Sequence, residues 1–339
     1  MSLHLHDLHD QRLILLQSSF SQSAIPILRQ LLSKKTTSSR VFLFCFLYPP
    51  SCLADDTETQ SGKLVVHDFL DLVPNYHEGS KDPFKQIIST VQDDPNTTID
   101  VVIDSLDTLA SDIGSVQAAY TFLRSVLSSI SKSSRLILHI CTPSPLLPLL
   151  TSAAFSSSLA HIIARPPEIL TELAKEYLTF PPPISPEAKF WSVYIPLSER
   201  EHESERLILE GRGSGNPDEF VVEVILRGAT DASGRRKGVE RVLEGWDTKS
   251  GPVRLEQLTS LSQLWKKVIV EEKAPDPTQN ISFNLQLTPS QQEARAKVPL
   301  PYVLDGENRT QQNTNGAILY DPDSADDIDD DDPDEDLDI

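Results

Sequence analysis

Several short stretches of this chain are apolar on nearly every residue, and they constrain its fold more than any other feature. Leu13 to Leu16, Val41 to Tyr48 (VFLFCFLY), Ile99 to Asp104 (IDVVID) and Arg135 to Ile140 (RLILHI) leave no polar side to face water. Leu64 to Phe69 and Leu159 to Ala164 (LAHIIA) read the same way. Strands of this kind must be covered on both faces, which is the condition inside a parallel sheet. The segments between them carry helical spacing. Ile25, Leu28, Leu31 and Leu32 share one face, and Pro83 to Val91 forms a short helix. Ile113, Val116, Tyr120, Leu123, Leu127 and Ile130 step by three and four, predicting one unbroken helix. Pro167 opens another, with Ile169, Leu170, Leu173, Ala174, Tyr177 and Leu178 inward. The expectation is an α/β domain with a mostly parallel sheet and helices on both faces.

The pattern changes after Pro181 to Pro186. Phe190 to Leu197, Arg206 to Glu210, Phe220 to Arg227 and Val239 to Trp246 read as successive strands with turn-rich joins, an antiparallel extension of the sheet. Val253 to Val270 is partly helical. Ile281, Phe283, Leu285 and Leu287 alternate with Ser282, Asn284 and Gln286, the signature of a half-buried strand. This divides the chain into a core domain over 1–288, a polar linker over 289–317 and a tail over 318–339.

The tail holds eleven Asp, one Glu and no Lys or Arg, so it carries −12 of the formal −20 and leaves −8 for the rest. Such a run repels itself and lacks the apolar surface to offset its ordering entropy, so it is expected to be disordered. Tyr320, Ile328, Leu337 and Ile339 interrupt it as candidate anchors of a docking peptide, the plainer reading being a solubility tail. Cys45, Cys52 and Cys141 form no CxxC pair and no metal spacing, which points to reduced thiols in an intracellular protein. The start MSLHLHDLHD has no signal-peptide character, and no run is long enough to span a bilayer. Three Asn-x-Ser/Thr triplets are then chance matches. Net negative charge argues against a broad nucleic-acid face but leaves room for a local one. Arg235, Arg236 and Lys237, flanked by glycines between two predicted strands, are the candidate phosphate contacts; otherwise they form a solvated turn.

The opening strand, loop and helix are where a P-loop protein keeps its phosphate cradle. That cradle needs glycines and a Lys-Ser/Thr pair, whereas this loop reads QSSFSQSA. It is either a lost phosphate site or never was one. Asp104 ends its strand in the place of a Walker-B carboxylate, with Asp107 and Asp112 as turn or cap residues. His139 lies in a strand as a satisfied core residue, and His4, His6 and His9 sit in an unanchored terminus. No catalytic constellation, metal cluster or cofactor motif emerges, and the chain is not expected to be an enzyme.

The close DPDEDLDI and the run FNLQLTPSQQEAR, within Ser282 to Tyr302, resemble the C-terminal end of the family of fifth subunits of the eukaryotic Elongator complex. The strong resemblance covers about 45 residues; the remainder matches as a RecA-like pattern without Walker motifs. It implies a RecA-like, non-catalytic subunit. It implies as partners the fourth and sixth Elongator subunits, in a hetero-hexameric ring with two copies of each. That ring binds tRNA and supports the catalytic half, which modifies wobble uridine at carbon 5. Ile281, Phe283, Leu285 and Leu287 are placed at or near a ring interface, and a cytoplasmic and nuclear location is expected. The competing readings are an acidic-tailed nuclear adaptor or chaperone, and an NTPase with an unusual phosphate loop.

Overall fold

The computed structural model describes residues 5, 8, 11–33, 40–55, 62–72, 82–92, 97–200, 202, 205–206, 218–228, 238–271 and 289–297. Every continuous apolar run becomes a strand. They are β1 (Leu13–Ser18), β2 (Arg40–Cys45), β3 (Leu64–Asp68), β4 (Ile99–Ile103), β5 (Arg135–Cys141) and β6 (Leu159–Arg165). All are buried but β3, where only Leu64 is buried. The six pair in parallel in the order β3-β2-β4-β5-β1-β6. β7 (Glu219–Arg227), β8 (Glu240–Asp247) and β9 (Gly251–Val253) continue the same sheet antiparallel. The mostly parallel sheet with an antiparallel extension in the second half is therefore what the chain forms.

Helices cover both faces. α1 (Ile25–Ser33) and α2 (Pro50–Leu53) bury Ile27, Leu28 and Leu53 against one, with Ile14, Leu43 and Ile137. α3 (Pro83–Gln92), α4 (Leu106–Ile113), α5 (Val116–Ser129) and α6 (Leu147–Thr151) bury Ile87, Leu109, Leu123 and Leu150 against the other, with Leu15, Phe44 and Leu138. α7 (Glu168–Glu176) and α8 (Glu187–Ser198) form a third cluster over β7, where Leu173, Phe190 and Tyr194 meet Val221. α9 (Ser262–Glu271) follows two 3-10 turns, and its Leu264 joins that cluster.

The structure differs from the sequence reading in places, each with a local cause. Phe190 to Leu197 forms a helix, α8, and not a strand: Phe190, Tyr194 and Leu197 lie one, two turns apart and are buried together. The helix read through 113–130 is broken at Gly114, whose φ of 75° caps α4 before Ser115 caps α5 by accepting from Ala118 N–H. β2 ends at Cys45, not Tyr48, because the next three N–H groups turn toward Asp104. Tyr177 and Leu178 fall beyond α7 and are exposed. The N-terminus is anchored: Leu5 and Leu8 are buried, and Leu5 N–H donates to Glu244 Oε2 at 3.2 Å. His4, His6 and His9 lie outside the described residues, as do residues 207–210 of the strand expected after Arg206.

The chain divides into two units, Met1–Ala274 and Pro275–Ile339. In the second, the start of the stretch read as a linker holds a short polar helix, α10 (Pro289–Ala296), with proline at its first position.

Candidate functional site

The place to look for a ligand is set by topology. β1 and β2 send their connections to one face of the sheet, and β3, β4 and β5 send theirs to the other. The neighbours β1/β5 and β2/β4 therefore diverge at their C-terminal ends, where open α/β sheets form binding crevices.

Both crevices are closed by the protein's own polar groups. Between β2 and β4, the Asp104 carboxylate accepts from Phe46 N–H at 2.7 Å, Leu47 N–H at 3.0 Å and Tyr48 N–H at 2.7 Å. Burial holds its pKa above the usual carboxylate value, partly opposed by these N–H donors. An acid in the Walker-B position thus serves as an acceptor for the chain leaving β2. The same burial, with Asp104 and Asp68 nearby, pushes the Cys45 thiol up to about 12, so it is an inert core group.

Between β1 and β5, Ser18 Oγ lies 2.7 Å from His139 Nε2, and His139 Nδ1 lies 2.6 Å from the Asp104 carbonyl. A carbonyl only accepts, so Nδ1 carries the proton and Nε2 accepts from the Ser18 hydroxyl. Burial lowers the His139 pKa and keeps the ring neutral. The Ser18 oxygen also accepts from Ala24 N–H at 2.8 Å, and Thr142 N–H and hydroxyl both donate to the Ser18 carbonyl. A serine–histidine pair at this distance resembles a nucleophile and its base. Here Ser18 is 5% exposed and His139 2%, so a substrate carbonyl has no approach. His139 is the satisfied core histidine that the sequence implies.

The loop after β1 closes on itself in the same way. Ser19 N–H donates to the Gln22 carbonyl, Gln22 N–H to Ser19 Oγ, and Ile25 N–H to Ser23 Oγ. With Ala24 N–H on Ser18 Oγ, four N–H donors of this loop are engaged by the loop itself. Phe20 stands at the loop tip, 76% exposed.

Asp107 does not cap α4. Ser105 does, accepting from Thr108 N–H, while Asp107 Oδ2 accepts from Cys141 N–H at 2.8 Å and ties α4 to the end of β5. Among the described residues no three His, Cys, Asp or Glu gather as a metal site, and no helix is long and apolar enough to cross a membrane.

The model of the family described as Elongator subunit Iki1 matches residues 2–321. The chain belongs to that family. Curated relatives named Elongator complex protein 5 match a shorter stretch: 41% identity over 68 residues in Danio rerio and 42% over 71 residues in Homo sapiens. Each aligned stretch covers 19% of this chain and 23% of the relative, so the chain spans about a quarter of the length of the relatives it matches. Among solved structures, a KaiC-like protein from Pyrococcus horikoshii overlaps 72% of this chain and 89% of its own, with 12% identity and a TM-score of 0.41.

The residues singled out beforehand fall elsewhere. The tRNA-contact candidates Arg235, Arg236 and Lys237 belong to the connection between β7 and β8, whose pairing as a hairpin is as expected; the three residues themselves lie outside the described ones. Ile281, Phe283, Leu285 and Leu287, and the tail residues Tyr320, Ile328, Leu337 and Ile339, also lie outside them. Sequence reasoning missed Glu223. Arg165 Nε and Arg241 Nε approach its two carboxylate oxygens at 3.1 and 3.0 Å, and Tyr194 hydroxyl donates to it at 3.4 Å. The signal was present, since a lone Glu inside FVVEVILR cannot be buried without cations.

Proposed function

We propose that this chain is a non-catalytic subunit of the Elongator complex. In this reading it joins the fourth and sixth subunits in a hetero-hexameric ring of RecA-like folds, with two copies of each. The ring binds tRNA and supports modification of wobble uridine at carbon 5 by the catalytic half of the complex, in the cytoplasm and the nucleus. The observation that carries the reading is the match of the Elongator subunit Iki1 family model to residues 2–321. The self-satisfied crevices add physical support: Asp104, Ser18 and the β1 loop spend on their own backbone the groups a nucleotide would need. A RecA-like subunit that gives up nucleotide chemistry retains its surfaces for assembly, and heterologous contacts close into a ring when the rotation allows.

Co-expression with the fourth and sixth subunits, followed by native mass determination, tests it. The expected species contains six chains, two of each. A monomer that ignores both partners would overturn the assignment and favour an adaptor acting through its acidic tail. Within an assembled ring, an alanine triple variant of Arg235, Arg236 and Lys237 is expected to bind tRNA more weakly and with a flatter salt dependence. Unchanged tRNA affinity would remove those residues from the account.

A further inference from the structure

The residues that close the two crevices form one continuous chain of hydrogen bonds across the C-terminal edge of the sheet. It begins at Ala24, just before α1, whose N–H donates to Ser18 Oγ at 2.8 Å. The Ser18 hydroxyl donates to His139 Nε2 at 2.7 Å, and His139 Nδ1–H donates to the Asp104 carbonyl at 2.6 Å. The Asp104 carboxylate then takes the N–H groups of Phe46, Leu47 and Tyr48. The path therefore starts in the loop after β1, crosses β5 and the end of β4, and finishes in the connection after β2. A second contact joins its two halves: the Tyr48 ring stands edge-on to the His139 ring, with centroids 6.0 Å apart.

The links depend on one another. Ser18, His139 and Asp104 are all buried, so water does not replace a lost partner. The Asp104 carbonyl only accepts, which fixes the proton on Nδ1 and leaves Nε2 as an acceptor. The other neutral tautomer would satisfy neither neighbour. If the loop after β1 moves away, Nε2 stays buried without a donor. If the connection after β2 moves away, the Asp104 carboxylate stays buried without its N–H groups. A buried network that is half made is costlier than one that is whole, so loss of one link weakens the hold of the next. Each end of the path bears an exposed apolar side chain, Phe20 on one loop and Leu47 on the other.

We infer that the loops after β1 and β2 are one cooperative unit, in which His139 passes a change at either loop to the other. A surface that grips Phe20 thereby stiffens the backbone around Leu47, and the reverse holds equally, because coupling between two sites is reciprocal. This coupling belongs to the fold of the chain and does not rest on its reading as an Elongator subunit.

Hydrogen exchange of the full chain, resolved to single amides, tests it. Asp104→Asn keeps the backbone carbonyl and removes one carboxylate oxygen from the Phe46 to Tyr48 side. The Ala24 amide, at the far end, should then exchange about fivefold faster, the lower end of the range for coupled sites. Ser18→Ala should in turn speed the Phe46 and Tyr48 amides by a similar factor. Amides of β7 are the control and should keep their rates. In a His139→Phe background, which keeps a ring and removes both nitrogens, Asp104→Asn should no longer alter Ala24. If His139→Phe does not fold, the two single variants decide by themselves. An unchanged rate at either far end would overturn the inference. So would β7 amides that speed up as much as the far end, which would mean a general loss of stability, or an Ala24 response that survives His139→Phe.

Discussion

The parallel half of the sheet and its antiparallel extension each bury a carboxylate with no exposed surface, and they satisfy it in opposite ways. Asp104, at the end of β4, has no ion pair among the described residues and is held by three backbone N–H groups. Glu223, in the middle of β7, is held by two arginines from the strands on either side and by a tyrosine from α8. The difference reflects position. A strand end presents unpaired N–H groups of the next turn, whereas in mid-sheet the backbone is consumed by its own ladder and only side chains remain to neutralise a charge. The first arrangement closes a crevice; the second ties β7 to β6, β8 and α8.

The largest effect is expected at Glu223. Glu223→Ala leaves the partly buried Arg165 and Arg241 without their counter-ion and should cost about 3–5 kcal/mol in urea denaturation. Replacing the three charged residues together by apolar ones of similar volume should cost far less, because a buried ion cluster is roughly neutral against good packing. A loss under about 1 kcal/mol for Glu223→Ala would erase the contrast between the two halves.

Asp104→Ala should come next, at about 2–3 kcal/mol, because it strands the Phe46 N–H fully and those of Leu47 and Tyr48 in part. Asp104→Asn should recover some of this, since an amide oxygen still accepts. Equal costs for the two variants would show that the carboxylate's charge, and not its hydrogen bonds, matters there.

A smaller effect is expected from His161, which joins the two regions. Its Nε2 lies 2.7 Å from Gln17 Oε1 of β1, and burial, aided by Arg165, Arg241 and Arg227, lowers its pKa to about 3. The unfolded chain therefore binds a proton near pH 6.5 that the folded chain refuses until about pH 3. Its stabilising contribution is complete above about pH 6.5 and is lost as pH falls through that window, by up to about 1.4 kcal/mol per unit. His139, also lowered, acts in the same direction, and Asp104, raised, acts against it. His161→Gln should flatten the fall in stability between pH 6.5 and 5; an unchanged slope would break the link. The smallest effect is expected at Phe20→Ser, within about 0.5 kcal/mol, because that residue is largely exposed.

The parallel half was legible because each of its strands is a continuous apolar run, a pattern with one structural meaning when helices lie between. The extension was only half legible. β7 and β8 read correctly, but EAKFWSVYIPLS is rich in β-forming residues and nearly apolar all round, so its spacing of Phe190, Tyr194 and Leu197 did not stand out. Tertiary packing on Val221 decided it. At the crevices, QSSFSQSA lacks the glycine and lysine of a phosphate cradle, and its loop hydrogen-bonds to itself. What replaced the cradle was not foretold, because Ser18, His139 and Thr142 are far apart in sequence and meet only through the β1–β5 register, in which Ser18 faces Cys141.

The most direct test of the central claim, that these crevices are closed by the protein itself, is a titration of the full chain with ATP and magnesium by calorimetry and thermal unfolding. The account predicts no saturable heat and no rise in Tm at millimolar nucleotide. A saturable isotherm with a matching Tm rise, removed by a substitution at Asp104, would contradict it.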